Sequence, residues 1–209
     1  MTDTKEKILQ TALRLFARDG YEAVSVSTIA GELGMTKGAL YRHYENKRAI
    51  FDSIVQRMYA IDAARSAEFA VPEEKYEDDP TGYDRVSLES LRRFTLAQFK
   101  FWAEDEFASN FRKMLTLEQY RSEEMAALLR QCLTAGPVAY TSDIFREMMT
   151  RGILRTGDAQ LLALEFYAPL YLLLCLREGG GSAKLLEAHI ETFLRRNAPK
   201  SDEIKENEP

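Results

Sequence analysis

Only two cysteines and two histidines stand among the 209 residues, and no second cysteine or histidine lies at metal-ligand spacing from either thiol. Cys132 and Cys175 sit in apolar helical contexts, which suits small buried thiols and leaves redox sensing as the alternative. With so few histidines there is no Glu-x-x-His pair, and there is neither a phosphate-cradling glycine loop nor a nucleophile motif. A helical-bundle enzyme working through carboxylates is therefore the weakest reading, and no catalytic residue, metal site or cofactor is expected. Long hydrophobic runs are scarce too. The most apolar stretch, Leu161 to Leu176, is interrupted by Glu165 and Pro169 and falls short of the ~20 residues a spanning helix needs. It reads as a buried helix. The charged, polar N-terminus has no signal-peptide pattern. A cytoplasmic protein with no membrane partner is expected.

Net positive charge is also missing. The chain carries 28 Lys and Arg against 33 Asp and Glu, a balance of −5. Its distribution says more than its sum. Residues 1–57 hold nine cations and seven anions, and the remainder nineteen and twenty-six. The basic excess thus gathers at the N-terminus, and the acidic remainder would repel a polyanion from the wrong face.

Strand alternation is rare, and long windows follow the helical period. An all-α protein is expected: an N-terminal three-helix segment with a helix-turn-helix (residues 1–47), a helical bundle (48–197), and a flexible tail (198–209). The first helix starts near Asp3, with Glu6 completing a possible capping box, and Gly20 ends it so that Tyr21 can pack back on the last turn. Ser25 suits an N-cap, and Val26, Ile29 and Leu33 form one apolar face. Gly34 permits the left-handed turn that reverses the chain, and Met35 plugs it. Thr36 caps a second helix, Lys37 to Tyr44, with Leu40 facing inward. A helix-turn-helix places the start of its second helix on base edges in the major groove. Lys37 and Arg42 are cations for phosphates or guanine edges. Gly38 lets the backbone come close, Ala39 offers a methyl to thymine, and Tyr41 and His43 have polar tips for phosphate oxygens. Lys47 follows a cap-like Asn46 at the start of a fourth helix reaching Phe69, where phosphate would also meet free amides.

The string IAxxxGMTKGALYxHYxNKxxIF, with KILQTALRLFARDGYEAVSV before it, resembles the tetracycline-repressor (TetR/AcrR) family of transcriptional regulators. The resemblance implies Ser27, Lys37, Gly38 and Ala39 at base-facing positions. It implies Tyr41, Arg42, His43, Tyr44 and Lys47 mainly at phosphates. It further implies that residues 1–47 are a DNA-binding domain and that the helical bundle 48–197 serves ligand binding and dimerisation, with a palindromic double-stranded DNA operator, a homodimer and a small-molecule effector, and repression lifted by an inducer as the usual outcome. The alternative is a helical interaction protein with a vestigial DNA reader.

Past an acidic segment, Val71 to Asp84, expected to be a loop, further amphipathic helices follow near 86–106, 108–119, 122–135, 137–151 and 158–178. Gly179, Gly180 and Gly181 break the chain, and Ser182 is expected to cap a last helix to Arg196. EFYAPLYLLLCL and LLEAHIETFL look like the C-terminal helix pair that meets its twofold mate in this family. Leu162, Phe166, Leu170, Leu173, Leu186, His189, Ile190 and Phe193 are its candidate interface, with burial inside one chain as the alternative. Aromatic and methionine residues are dense before that pair: Phe94, Phe101, Trp102, Phe111, Met114, Tyr120, Phe145 and Met148, joined by Tyr167 and Tyr171. They are either ordinary core or the wall of an effector cavity. Glu104, Asp105, Glu118 and Glu165 would favour a cationic guest if any of them faced it.

Overall fold

The computed structural model describes residues 3–69, 71–72, 80–176 and 181–199, and every regular element among them is a helix. Four helices occupy the N-terminal third: α1 (Asp3–Asp19), α2 (Val26–Glu32), α3 (Lys37–Tyr41) and α4 (Lys47–Glu68). The starts of α2, α3 and α4 are set by short polar side chains. Ser25 Oγ accepts the Thr28 amide, Thr36 Oγ1 accepts that of Ala39, and Asn46 Oδ1 accepts that of Ala49. Each satisfies an amide that has no partner inside its own helix. Two glycines set the reversals. Gly20 (φ +89°) ends α1, and Gly34 (φ +64°) ends α2, both in the left-handed region. At the second, Met35 N–H donates to Ala30 and Gly34 N–H to Gly31, the paired bonds of a Schellman turn. Glu6 does not close a capping box with Asp3; its Oε1 accepts from Gln10 and from Arg57 of α4.

The remaining helices are α5 (Pro80–Tyr83), α6 (Leu88–Glu104), α7 (Glu106–Glu118), α8 (Glu123–Leu133), α9 (Ala135–Thr150), α10 (Ala159–Cys175) and α11 (Ser182–Arg196). α5 lies where a loop was expected. Its proline is the first helical residue, a position that needs no amide hydrogen, and Tyr83 at its end is buried. α10 runs through Pro169 without breaking. Ser182 is the first residue of α11, whose N-cap is Gly181, so it does not cap as expected. Gly179 and Gly180 fall outside the described residues, as do 200–209 of the expected tail. Among the described residues no helix is long and apolar enough to cross a membrane.

Packing divides the chain into two compact units, residues 1–63 with 101–129 and residues 64–100 with 130–209. In the first, α7 lies along α1 and α2 packs on both α1 and α3. Ile8, Leu9, Ala12, Leu13 and Phe16 of α1, Ile29 and Ala30 of α2, Leu40 of α3, and Ile50, Phe51 and Ile54 of α4 supply its apolar centre. In the second, α10 packs against α9 and α11. Phe145, Phe166 and Phe193 meet there with ring centroids 5.1–5.6 Å apart. Tyr167 Oη donates to the Leu133 carbonyl at 3.1 Å. Buried Asn197 closes α11, its Nδ2 donating to the Phe193 carbonyl and its Oδ1 accepting from Arg155.

Candidate nucleic-acid interface

The reader is α3 together with the turn that follows it. Leu40 is fully buried and Tyr44, one helical turn on, is 4% exposed, so this edge is the anchored one. The opposite edge carries Thr36, Lys37, Gly38, Tyr41 and Arg42, all exposed, with Ala39 and His43 half-buried beside them. Lys37 Nζ lies 5.7 Å from the Tyr41 ring centroid, so cation and ring share one face one turn apart. A β-carbon placed on Gly38 would meet nothing within 4 Å, which leaves the backbone open to an approaching surface. Ser27, on α2, is exposed as well. α2 is tied to α1 by Arg14, whose guanidinium donates to Glu32 at 2.7 Å and holds that carboxyl below the usual carboxylate range.

Two expected phosphate contacts are turned inward. Tyr44 is buried, and its hydroxyl is directed to the Lys5 carbonyl at 3.5 Å. Burial raises its pKa. It belongs to the core because it stands four residues after Leu40 on the inner edge, and the phosphate-facing assignment is withdrawn. Lys47 donates to the Tyr21 carbonyl at 2.8 Å and lies 4.2 Å over the Tyr21 ring. Its ammonium therefore fastens the start of α4 to the turn after α1. Tyr21 packs on Phe16 and Phe51, and its desolvated phenol is raised in pKa.

The aromatic candidates for an effector wall are divided between the two packing units. Phe101, Trp102, Phe111, Met114 and Tyr120 belong to the first packing unit, and Phe94, Phe145, Met148, Tyr167 and Tyr171 to the second. Phe111 and Met114 are fully buried on α7, the helix that lies along α1, and Phe145 is filled against Phe166 and Phe193. Tyr120 is 91% exposed and lines no cavity. Phe94 lies in a ring cluster that sequence spacing does not reveal, 5.9 Å from Phe69 and 6.4 Å from Tyr140, with Tyr83 beyond. An open cleft of about 520 Å³ at the end of α9 and the start of α10, with Arg146, Met149 and Gln160 in its wall, contains none of the ten candidates. The acidic candidates also have local work. Asp105 caps α7 through the Ala108 amide, Glu165 pairs with Arg196, and Glu118 accepts the Tyr21 amide, while Glu104 is exposed.

The expected interface set is corrected in the same way. Leu162, Phe166, Leu170, Leu173, Leu186, Ile190 and Phe193 are all buried within the single chain, and half-buried His189 is hydrogen-bonded to the Phe166 carbonyl. They are the seam among α9, α10 and α11. The large apolar side chains left exposed on these helices are Leu161, Leu164, Leu172 and Leu176 of the α10 segment and Leu185 of α11. Cys175, expected to be buried, is exposed on the same stretch.

Residues 8–54 match the model of bacterial regulatory proteins of the tetR family. The tetracycline repressor protein class C of Escherichia coli is 32% identical over 93 residues, 44% of this chain and 40% of that one. Matches to the first curated relatives span less than half of those proteins' own length. Over nearly the whole chain the fold is similar to that of PfmR, a TetR family transcriptional regulator from Thermus thermophilus. The TM-score is 0.67 at 24% identity, covering 93% of this chain and 97% of that one. It is also similar to SmeT of Stenotrophomonas maltophilia in complex with triclosan, with a TM-score of 0.63 at 20% identity over 95% and 93% of the two chains. The helix-turn-helix of this chain is thus similar to that of the tetR family of bacterial regulatory proteins, and the all-helical fold that continues from it is similar to that of these solved structures.

Proposed function

We propose that this protein is a homodimeric, ligand-responsive, sequence-specific DNA-binding transcriptional regulator, a repressor released from a palindromic operator by a small-molecule inducer. One observation carries the reading. α3 is anchored by Leu40 and Tyr44 while Thr36, Lys37, Gly38, Ala39, Tyr41 and Arg42 lie along its outer edge. A short helix held this way can enter a major groove, with Lys37 and Arg42 reaching guanine edges or phosphates. Residues 1–47 read DNA, and residues 48–197 pair the chain and take the effector.

Pairing uses the stripe Leu161, Leu164, Ala168, Leu172 and Leu176, with Leu185 beside it. These residues repeat at three- and four-residue steps on one face and remain exposed. A contiguous apolar patch of this kind on a soluble protein marks an interaction surface. A twofold pair would set the two copies of α3 about one duplex turn apart, ~34–36 Å. In this reading the effector binds in the second packing unit, near the half-buried rings of Phe69, Phe94 and Tyr140, which cluster with buried Tyr83. The triclosan complex of SmeT supports an aromatic guest. Such a guest releases DNA only to the extent that it binds the released state more tightly.

Titration of the purified chain with a labelled duplex from the DNA flanking its gene tests the reading. Affinity should fall steeply and linearly on a log–log plot as salt rises, because phosphate contacts release counterions. Binding that ignores salt, or that is equal for every duplex, would remove it.

A further inference from the structure

We propose that Glu118 is a positioning residue for operator binding: from α7, its buried carboxylate holds the turn between α1 and α2 and thereby sets the pose of the DNA reader. This rests on the DNA-binding reading above. Among the described residues Glu118 is the one charged side chain that is buried, at 1% exposure. It shares the inner face of α7 with Ala108, Phe111 and Leu115. A carboxylate in an apolar seam is costly unless hydrogen-bonded, and a leucine would pack there at lower cost. Its Oε1 accepts the Tyr21 amide at 3.0 Å.

The surroundings are shaped for that contact. Gly20 has φ +89°, and a β-carbon on it would lie 2.5 Å from the Glu118 Oε1. Glycine is thus needed twice at this position, for the left-handed turn and for the approach of the carboxylate. Tyr21 is gripped from the other side by α4, through Lys47 on its carbonyl at 2.8 Å. Its amide belongs to α7, its carbonyl to α4 and its ring to the core. Only Glu22 to Ser25 separate this fixed residue from the first turn of α2, and the Schellman turn at Gly34 carries that pose on to α3. A second link, Arg48 on Glu124 of α8, is bidentate at 2.6 Å but about half exposed on both sides, so water screens it.

When the hold is lost the reader samples other poses, and apparent affinity falls with the fraction still competent. The test uses the full chain and a duplex that the wild type has selected from a random pool, at a temperature where circular dichroism shows every variant folded. Glu118→Ala should weaken binding about tenfold, the scale of a hydrogen bond to a charged group, with the salt slope unchanged because the same phosphates are met. Glu118→Gln should restore most of the loss, since its amide oxygen still accepts, and Glu124→Gln should stay within about twofold. A folded Glu118→Ala that binds like wild type overturns the proposal, as does failure of Gln to rescue. If the alanine variant does not fold, Glu118→Asp takes its place. Faster exchange of the Tyr21 amide together with weaker binding supports the proposal, and faster exchange at unchanged affinity overturns it. A wild type that selects no duplex would instead refute the DNA-binding reading itself, before any variant is made.

Discussion

Truncating Leu172 should separate the two copies of the protein without loosening either. Leu172 is 57% exposed on α10, and Leu170, two residues away, is 1% exposed. Fully burying a leucine stabilises by about 1.5–3 kcal/mol, so covering slightly more than half of Leu172 contributes about 1 kcal/mol. In a twofold interface the residue occurs twice, which raises this to about 2 kcal/mol and the dissociation constant by about 30-fold. Leu172→Ala should therefore shift the monomer–dimer equilibrium in analytical ultracentrifugation by that factor and leave the circular-dichroism melt close to wild type. Leu170→Ala should do the reverse, costing about 2–5 kcal/mol of fold stability through the cavity it leaves. An unchanged dimer constant for Leu172→Ala, or a wild type that stays monomeric at every concentration, would refute the assignment of this face.

The same physical reasoning extends to the reader. Thr36→Ala removes the acceptor for the Ala39 amide and should cost about 1 kcal/mol in urea unfolding, while weakening operator binding more than it lowers overall stability, because α3 is only five residues long. Lys47→Ala should lower the melting temperature as well as DNA affinity, since its ammonium holds the Tyr21 carbonyl; a loss of affinity with no loss of stability would show that the inward contact is idle. The Glu124 carboxyl is held below its ordinary value of 4.5 by the Arg48 guanidinium, so the pair stabilises above about pH 4.5 and that share is lost as pH falls through the depressed folded-state value. The melting difference between wild type and Glu124→Gln should accordingly be full at pH 7 and shrink progressively as pH falls below 4.5, and a difference that does not shrink in acid would contradict the coupling.

Helix starts and reversals were legible because their causes are local: Ser25, Thr36 and Asn46 each satisfy an amide three residues on, and Gly20 and Gly34 take the left-handed conformation. The outer edge of α3 was legible from its period. Tyr44 was misplaced by family resemblance although its spacing from Leu40 already put it inside. α10 hid its orientation for a different reason. It is apolar nearly all round, so periodicity cannot say which face meets α9 and α11 and which is left exposed. The residues expected between copies turned out to be the seam within one copy. The burial of Phe111 and Met114 follows from a long-range fact, that α7 packs on α1 and carries both into the core of the first unit. No local pattern encodes that pairing, nor the approach of Glu118 to Tyr21 across 97 residues of sequence.

The central claim, that the exposed edge of α3 reads bases, is tested most directly by selecting bound duplexes from a randomised pool with wild type and with Lys37→Ala. Wild type should enrich an inverted repeat whose halves are centred about one helical turn apart, ~10 base pairs. Lys37→Ala should keep the repeat but relax one position in each half, at a cost of about 1–3 kcal/mol for the preferred base. Enrichment of no common sequence, or an identical preference from both proteins, would contradict the account.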